Sequence, residues 1–528
     1  MRKIYLLDCT LRDGGYVNDW CFGEEAIKGV ARLIADTGIE MIEMGFIKGD
    51  KLCRDRSVFP DVESMTPMIT PKSPKLIYAG MVDMSAPVAM ERITKRSPEG
   101  IDAIRVIFKK DKMDLAYSYC EHIKAMGYML FVNFVGTDLY TDMEFIEGIK
   151  RFNGLKPFAM TIVDTFGLIK RKQFTRLVYL ADNNMEPGIV LGYHAHNNLQ
   201  QAFGNAEALV EMNLRRDLCI DACVFGMGRG AGNLNLELFA EYMNENHETD
   251  YRVEPMLEIM DRYLNDIYKT RFWGYSLPFY LSASRGVHPN YAIYLAGRDS
   301  LTVKGFEELL ASMTKEDKVR FSKEKAEEYY RRYLENHIDD SAALKELSEA
   351  FSGKHILVLA PGRSLLENRE LVDSLRKAPD TITIAVNFLA EDFEPDYIFS
   401  SNMRRYERIE GRTKAKCITT SNMKECKSTD YVVNFSSYAA KEADIIDNSG
   451  VMLLKLLRDL HVSEADICGM DGYSEYQEDD YYDRGLRHHF PEGGSHRNEL
   501  ISAELKELSK YIKLDFRTPS RYGSSISD

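Results

Sequence analysis

Along the first half of the chain, short apolar, β-branched-rich runs alternate with amphipathic stretches in a regular rhythm. Residues 4–11, 39–47, 75–83, 101–108, 128–136, 158–167, 188–197 and 219–228 are predicted strands. Between them, residues 24–37, 114–126, 171–182 and 199–212 carry apolar positions at helical spacing. Strand alternating with helix every ~25–36 residues, over roughly 235 residues, predicts an α/β fold of the (β/α)₈ barrel type, with a doubly wound open sheet as the competing arrangement. An aromatic-rich segment, 262–295, follows and is read either as a cap over the barrel rim or as a packing helix with a proline-bounded turn. Residues 304–350 are charged, helix-prone and nearly free of Gly and Pro.

At Gly353 the pattern restarts. Residues 355–360 form a predicted strand, 361–365 a tight turn opening a helix, and 382–386 a second strand ending at Asn387. A strand, a small-residue turn and a helix N-terminus present backbone N–H groups to an anion. The chain therefore divides, by expectation, into a barrel over 1–300, a helical extension over 301–350 and a Rossmann-like domain over 351–528.

Composition narrows the partners. The 528 residues are 45% hydrophobic and 28% charged, with a net charge of −14, which argues against broad binding to nucleic acid or anionic membranes. No run approaches the ~18 apolar residues of a membrane helix, and Met1-Arg2-Lys3 leads straight into a strand rather than a signal peptide. Nine cysteines without a Cys-x-x-Cys pair are expected as free thiols in a reducing cytoplasm, with Cys9, Cys219 and Cys223 in core strands.

The candidate chemistry gathers at strand ends. His194 and His196 alternate with Ala195 on a strand, so both imidazoles point to one face. On a surface strand such a pair is more often incidental. Inside a barrel, with the carboxylate of Asp13 from the end of another strand, it supplies three metal ligands. Glu43, Asp164-Thr165 and the run from Gly226 to Asn233 fall at the same C-terminal rim, where barrel active sites lie.

Four motifs, Asp8-Cys9-Thr10-Leu11-Arg12-Asp13-Gly14, Ile42-Glu43-Met44-Gly45-Phe46, Val163-Asp164-Thr165-Phe166-Gly167, and His194-Ala195-His196-Asn197 with Gly226–Asn233, resemble the metal-dependent lyases and aldolases that include 4-hydroxy-2-oxovalerate aldolase and 3-hydroxy-3-methylglutaryl-CoA lyase. The resemblance implies that Asp13, His194 and His196 bind Mn²⁺ or Mg²⁺ with Asn233 in or beside the shell. It implies that Arg12 stabilises an enolate oxygen and that Thr165 contacts the carboxylate of a 2-oxo acid, with Glu43 and Asn233 among the substrate contacts. Where the aldolases have a histidine as acid/base, this chain has Tyr16. Proton transfer then falls to Tyr16, to a metal-bound water, or to Tyr275, Tyr280 or His288 of the capping segment.

Fragments of the second half, among them Ala360-Pro361-Gly362-Arg363-Ser364-Leu365, Val386-Asn387-Phe388, Asn448-Ser449-Gly450 and Ser495-His496-Arg497-Asn498, resemble bacterial CMP-sialic acid-dependent sialyltransferases. The resemblance implies a cytidine nucleotide pocket lined by Asn387, Asn402 and Ser449, a phosphate turn at Gly362 and Ser364, and His496 as the base on an acceptor hydroxyl. Together the halves imply an aldolase making or breaking a C–C bond between a pyruvate-type 2-oxo acid and an aldehyde, a sugar-derived one included, with an appended domain that binds CMP or a nucleotide sugar, in surface polysaccharide synthesis and as a homo-oligomer. An acyl-CoA Claisen enzyme on the same barrel is one alternative. A glycosyltransferase or nucleotide-binding module with an idle barrel is the other.

Overall fold

In a barrel, side chains alternate between the interior and the surrounding helices, so a strand's inward positions read as every second residue. The computed structural model describes residues 2–49, 51–298, 301–474, 481–482 and 493–523, and separates the chain into two units, Met1–Ile293 and Tyr294–Asp528.

The first unit is a closed parallel barrel of β1 (Ile4–Asp8), β2 (Met41–Ile47), β3 (Ile77–Asp83), β4 (Ala103–Phe108), β5 (Met129–Phe134), β6 (Ala159–Asp164), β7 (Val190–Ala195) and β8 (Leu218–Ala222). Each strand pairs with the next, and β1 closes the ring against both β2 and β8. A two-residue strand, Val58–Phe59, adds to the outer end of β2 and was not predicted. The expected strands are each a few residues too long. Strand β1 ends at Asp8 because the Cys9 carbonyl accepts N–H groups from Arg12, Asp13 and Gly14, which curls the chain inward.

Inside the barrel one layer is apolar: Leu7, Met41, Ala79, Ala103, Phe131, Ala159, Val190 and Cys219. Burying each of its larger side chains contributes about 1.5–3 kcal/mol. Two residues further along the strands, on the same inward face, stand Cys9, Glu43, Arg105, Asn133, Thr161 and Asp221, all buried. A greasy floor thus carries a polar storey. The outward positions of the strands pack with helices such as Glu24–Ala35, Met113–Ala125, Arg171–Asn184 and Ala202–Glu211 in the main core.

Strand β2 carries a register shift between Glu43 and Phe46. Gly45 sits there at φ 147°, and a Cβ on it would stand 2.0 Å from the Ser57 carbonyl oxygen. Only glycine permits that approach.

The second unit begins with helices Val303–Ser312, Lys315–Val319, Lys323–Leu334 and Ser341–Phe351. A parallel sheet follows: β9 (His355–Leu359), β10 (Thr381–Val386), β11 (Tyr397–Ser400), β12 (Lys416–Thr420), β13 (Tyr431–Val433), β14 (Glu464–Cys468) and β15 (Lys513–Phe516), in the order β13-β12-β11-β10-β9-β14-β15. The chain walks outward from β9 to β13, then crosses back to lay β14 on the other side of β9. That reversal opens a crevice beyond the C-terminal ends of β9 and β14. Among the described residues, no helix is long and apolar enough to cross a membrane. The cysteines are free, with Cys9, Cys219 and Cys223 buried.

Candidate active site

The loop leaving β1 delivers Asp13 to the mouth of the barrel, and the end of β7 and the residue after it supply His194 and His196. The three ligand atoms lie within 4.8 Å of one another. His194 Nε2 stands 3.8 Å from Asp13 Oδ1, and His196 Nε2 stands 3.6 Å from Asp13 Oδ2. These separations are too long for hydrogen bonds and suited to donors facing one cation.

The sequence reading missed what lies behind this triad. Arg12 donates from Nη1 to Asp13 and from Nε to Glu43 Oε2 at 2.6 Å. Glu43 Oε2 also accepts from Arg105 at 3.1 Å; Arg105 donates to Asp221, and Asp221 Oδ2 meets His194 Nδ1 at 3.1 Å. The contacts return to Asp13 through His194, so six buried side chains form a closed circuit. Arg105 and Asp221 lie outside the expected set. The signal for them was a single charge at inward parity in an otherwise apolar strand. Glu43, expected to touch substrate, is fully buried and taken up by two guanidinium groups. Its part is to fix Arg12 and Arg105.

This circuit sets the electrostatics. Burial opposes charge on Asp13, but Arg12 and the two imidazoles outweigh it and hold its carboxyl well below the usual range. Burial likewise opposes charge on Asp221, and Arg105 and His194 overcome it. Burial pushes His196 down to about 4, against the pull of Asp13. The Asp221 contact occupies His194 Nδ1, leaving Nε2 toward Asp13 as a ligand nitrogen.

Three carboxylates against two guanidinium groups leave one net negative charge among these buried side chains. A buried uncompensated charge is costly, and a divalent cation held by Asp13, His194 and His196 would compensate it. The donor set fits such an ion. Asn233, bridged to His196, donates from Nδ2 to Asp13 Oδ2 at 2.7 Å while its buried Oδ1 has no hydrogen-bond partner, so it stands beside the ligands and steadies one of them.

Around the mouth, Thr165 Oγ1 accepts from Gly136 N at 2.8 Å, keeping its own hydroxyl proton to donate. Tyr16 packs edge-on against Trp20 and Phe46, and its hydroxyl meets no hydrogen-bond partner among the described residues. Burial raises its pKa above the ordinary phenol value, only partly offset by Arg229. His288 arrives from the capping segment with its ring against Phe166, and burial followed by Arg229 pushes it down to about 3. Tyr275 is 57% exposed and meets Tyr280, with no contact to these residues.

The second unit holds a cavity of about 190 Å³ at its crevice, lined by Gly362, Asn387, Asn402 and Ser449 together with Asp471 and Arg497. Asn387 donates to Ser449 Oγ and accepts from Ser400 Oγ at 2.7 Å, and its backbone is left-handed at φ 60°. Ser364 is not on the lining; its N–H and hydroxyl are both given to Asp471. His496 is largely exposed, stands 3.8 Å from Glu499 and does not line the cavity. Arg497 and Ile501, one helical turn apart, take the inward face.

Residues 92–261 match the HMGL-like family. The 4-hydroxy-2-oxovalerate aldolase of Desulfitobacterium hafniense is 24% identical over 275 residues, covering 51% of this chain and 79% of that protein. Its counterpart in Pseudoalteromonas translucida is 22% identical over 266 residues, covering 49% and 75%. Among solved structures, the HMG-CoA lyase of Brucella melitensis is 15% identical, with 51% of this chain and 99% of that one covered at a TM-score of 0.41.

Proposed function

The first unit of the chain belongs to the HMGL-like family of metal-dependent lyases, and on that footing we propose that the protein is an aldolase making or breaking a C–C bond between a pyruvate-type 2-oxo acid and an aldehyde. The closed circuit of charges that ends on Asp13, His194 and His196 carries this reading. These three side chains would hold Mn²⁺ or Mg²⁺, which supplies Lewis-acid polarisation of a bound keto oxygen. Arg12, kept cationic by Glu43 and Asp13 despite its burial, lays positive charge where the enolate oxygen develops its negative one. Thr165 donates its hydroxyl proton to the oxo acid's carboxylate. Tyr16, kept protonated by burial and with no hydrogen-bond partner for its hydroxyl among the described residues, gives its proton to the aldehyde oxygen as the new bond forms and regains one from solvent.

The test is exchange of the pyruvate methyl protons into deuterated water. Exchange that appears with Mn²⁺ and disappears on chelation is the expected result. Its absence in metal-replete protein would overturn the reading in favour of an idle barrel, and release of CoA thiol from an acyl-CoA would favour a Claisen enzyme.

A second reading concerns the second unit. The cavity lies where the strand order reverses, the place where open parallel sheets hold nucleotides, and its lining offers neutral amides and hydroxyls suited to a base and ribose. A CMP-type nucleotide or nucleotide sugar is the proposed ligand, and calorimetry with CMP on the full chain tests it. Since His496 faces away from the cavity, binding without transfer is the simpler form of this proposal, consistent with a supporting part in polysaccharide synthesis.

A further inference from the structure

The loop after β8 carries an arginine that makes no ion pair among the described residues. Arg12, Arg105 and Arg216, the other guanidinium groups buried in this unit, each meet a carboxylate. Arg229 does not. Half-buried at the mouth, it stacks 4.0 Å from the centre of the Tyr16 ring, and its Nη1 lies 3.4 Å from His288 Nε2. Among the described residues it meets no carboxylate. The imidazole beside it carries no negative charge and so cancels none of it. A guanidinium has five N–H donors in a fixed fork, and most of this fork is unspent.

The pedestal under Arg229 is rigid. Gly232 N donates to the Arg229 carbonyl at 3.2 Å, Ala231 N to Asn198 Oδ1 at 2.8 Å, and Asn197 N to the Gly232 carbonyl at 2.8 Å. Gly274 N reaches the Gly230 carbonyl at 3.2 Å, tying the aromatic capping segment to the same loop. Gly232 takes φ 83°, and a Cβ there would stand 2.1 Å from the Gly226 carbonyl oxygen. A cation held so firmly beside a reaction site, without an anion of its own, is built to meet one on a ligand.

We propose that Arg229 reads an anionic group on the aldehyde substrate, so that the enzyme takes an aldehyde bearing a carboxylate or a phosphate a few bonds from its carbonyl. This rests on the aldolase reading and assigns its second substrate. The anion belongs to the aldehyde because Arg229 lies directly over Tyr16, the proton donor to the aldehyde oxygen. Arg12, the other mouth guanidinium, is already engaged by Glu43 and Asp13.

Two matched pairs of aldehydes, offered with pyruvate and Mn²⁺ to the full chain, test it: succinic semialdehyde against butanal, and glyceraldehyde 3-phosphate against glyceraldehyde. The anionic member of at least one pair is expected to show a kcat/KM roughly tenfold or more above its neutral partner. The pair with the larger ratio identifies carboxylate or phosphate. In Arg229→Gln that ratio falls toward one, while Arg229→Lys, which keeps the charge but loses the fork, retains part of it. Equal rates for both members of both pairs, with pyruvate exchange present, would overturn the inference and leave the aldolase standing. So would an Arg229→Gln loss that falls on KM for pyruvate in the exchange reaction. Absence of exchange in the unaltered protein marks failure of the aldolase reading itself.

Discussion

Both units put their candidate sites at the C-terminal ends of parallel strands, yet the two sites are built differently. The barrel mouth is dense with charge, held in a closed circuit of almost fully buried side chains. The crevice of the second unit is lined by the amides and hydroxyl of Asn387, Asn402 and Ser449, with separate charges such as Arg405, Arg497, Asp447 and Asp471 around them. Position in the fold says where a ligand goes. The chemistry there says whether it is activated or merely held. A desolvated charge network changes its energy steeply when a charge develops within it, as catalysis needs, whereas a lattice of amides and hydroxyls recognises shape at little electrostatic cost.

The strongest way to break this comparison is to remove a ligand from the charged site. Asp13→Asn and His194→Ala should each lower metal-dependent pyruvate exchange by roughly a thousandfold or more, read by proton NMR, while CMP binding measured by calorimetry persists. Loss of both functions together would sink the picture of two independent sites.

Next in size is the circuit behind the ligands. Glu43→Gln leaves Arg12 and Arg105 without their shared counter-charge and should destabilise the first unit by about 3–5 kcal/mol, seen in urea denaturation. A shift well under 1 kcal/mol would mean that the charges are not coupled as the geometry requires.

A smaller effect lies in pH. His196 and His288, held down to about 4 and about 3 against a usual 6.5, contribute stability that is present above pH 6.5 and lost as pH falls through those values. Asp8 and Asp164, pushed by burial up to about 7 from 3.8, act in the other direction: their contribution is present below pH 3.8 and lost as pH rises through 7. The opposing slopes overlap between these limits. In metal-free protein, Asp164→Asn removes one falling contribution, so the slope of stability against pH between 5 and 6.5 should turn upward by about 1 kcal/mol per unit. Denaturation midpoints at the two pH values check this, and an unchanged slope would refute it. Smallest is Asn387→Ala in the crevice of the second unit, expected to weaken CMP binding by roughly five- to tenfold in the same calorimetry, with pyruvate exchange intact.

What the sequence revealed follows the same division. Asp13, His194 and His196 were legible because two-residue periodicity and the barrel rhythm together force them to one rim. Arg105 and Asp221 were not, since a lone charge in an apolar strand says nothing about its partner until the ring closes and brings β4 and β8 to the same level. Glu43 was assigned to the right end of β2 but to the wrong storey: parity fixes the direction of a side chain, whereas depth depends on the shear of the barrel. His496 was chosen for its chemistry, and helical periodicity gave the cavity to Arg497 instead. Tyr275 belongs to an aromatic segment whose composition cannot tell which rings turn inward.

The missing side chain at position 45 reaches further than its own turn. Ser57, whose carbonyl crowds that spot, also passes its hydroxyl proton to the Leu11 carbonyl at 2.6 Å, one residue before Arg12. A methyl group there would lever Ser57 away, and with it the strap that sets the height of the β1 loop. The alignment of a carboxylate with two imidazoles across the ring thus depends on a hydrogen atom on the neighbouring strand β2.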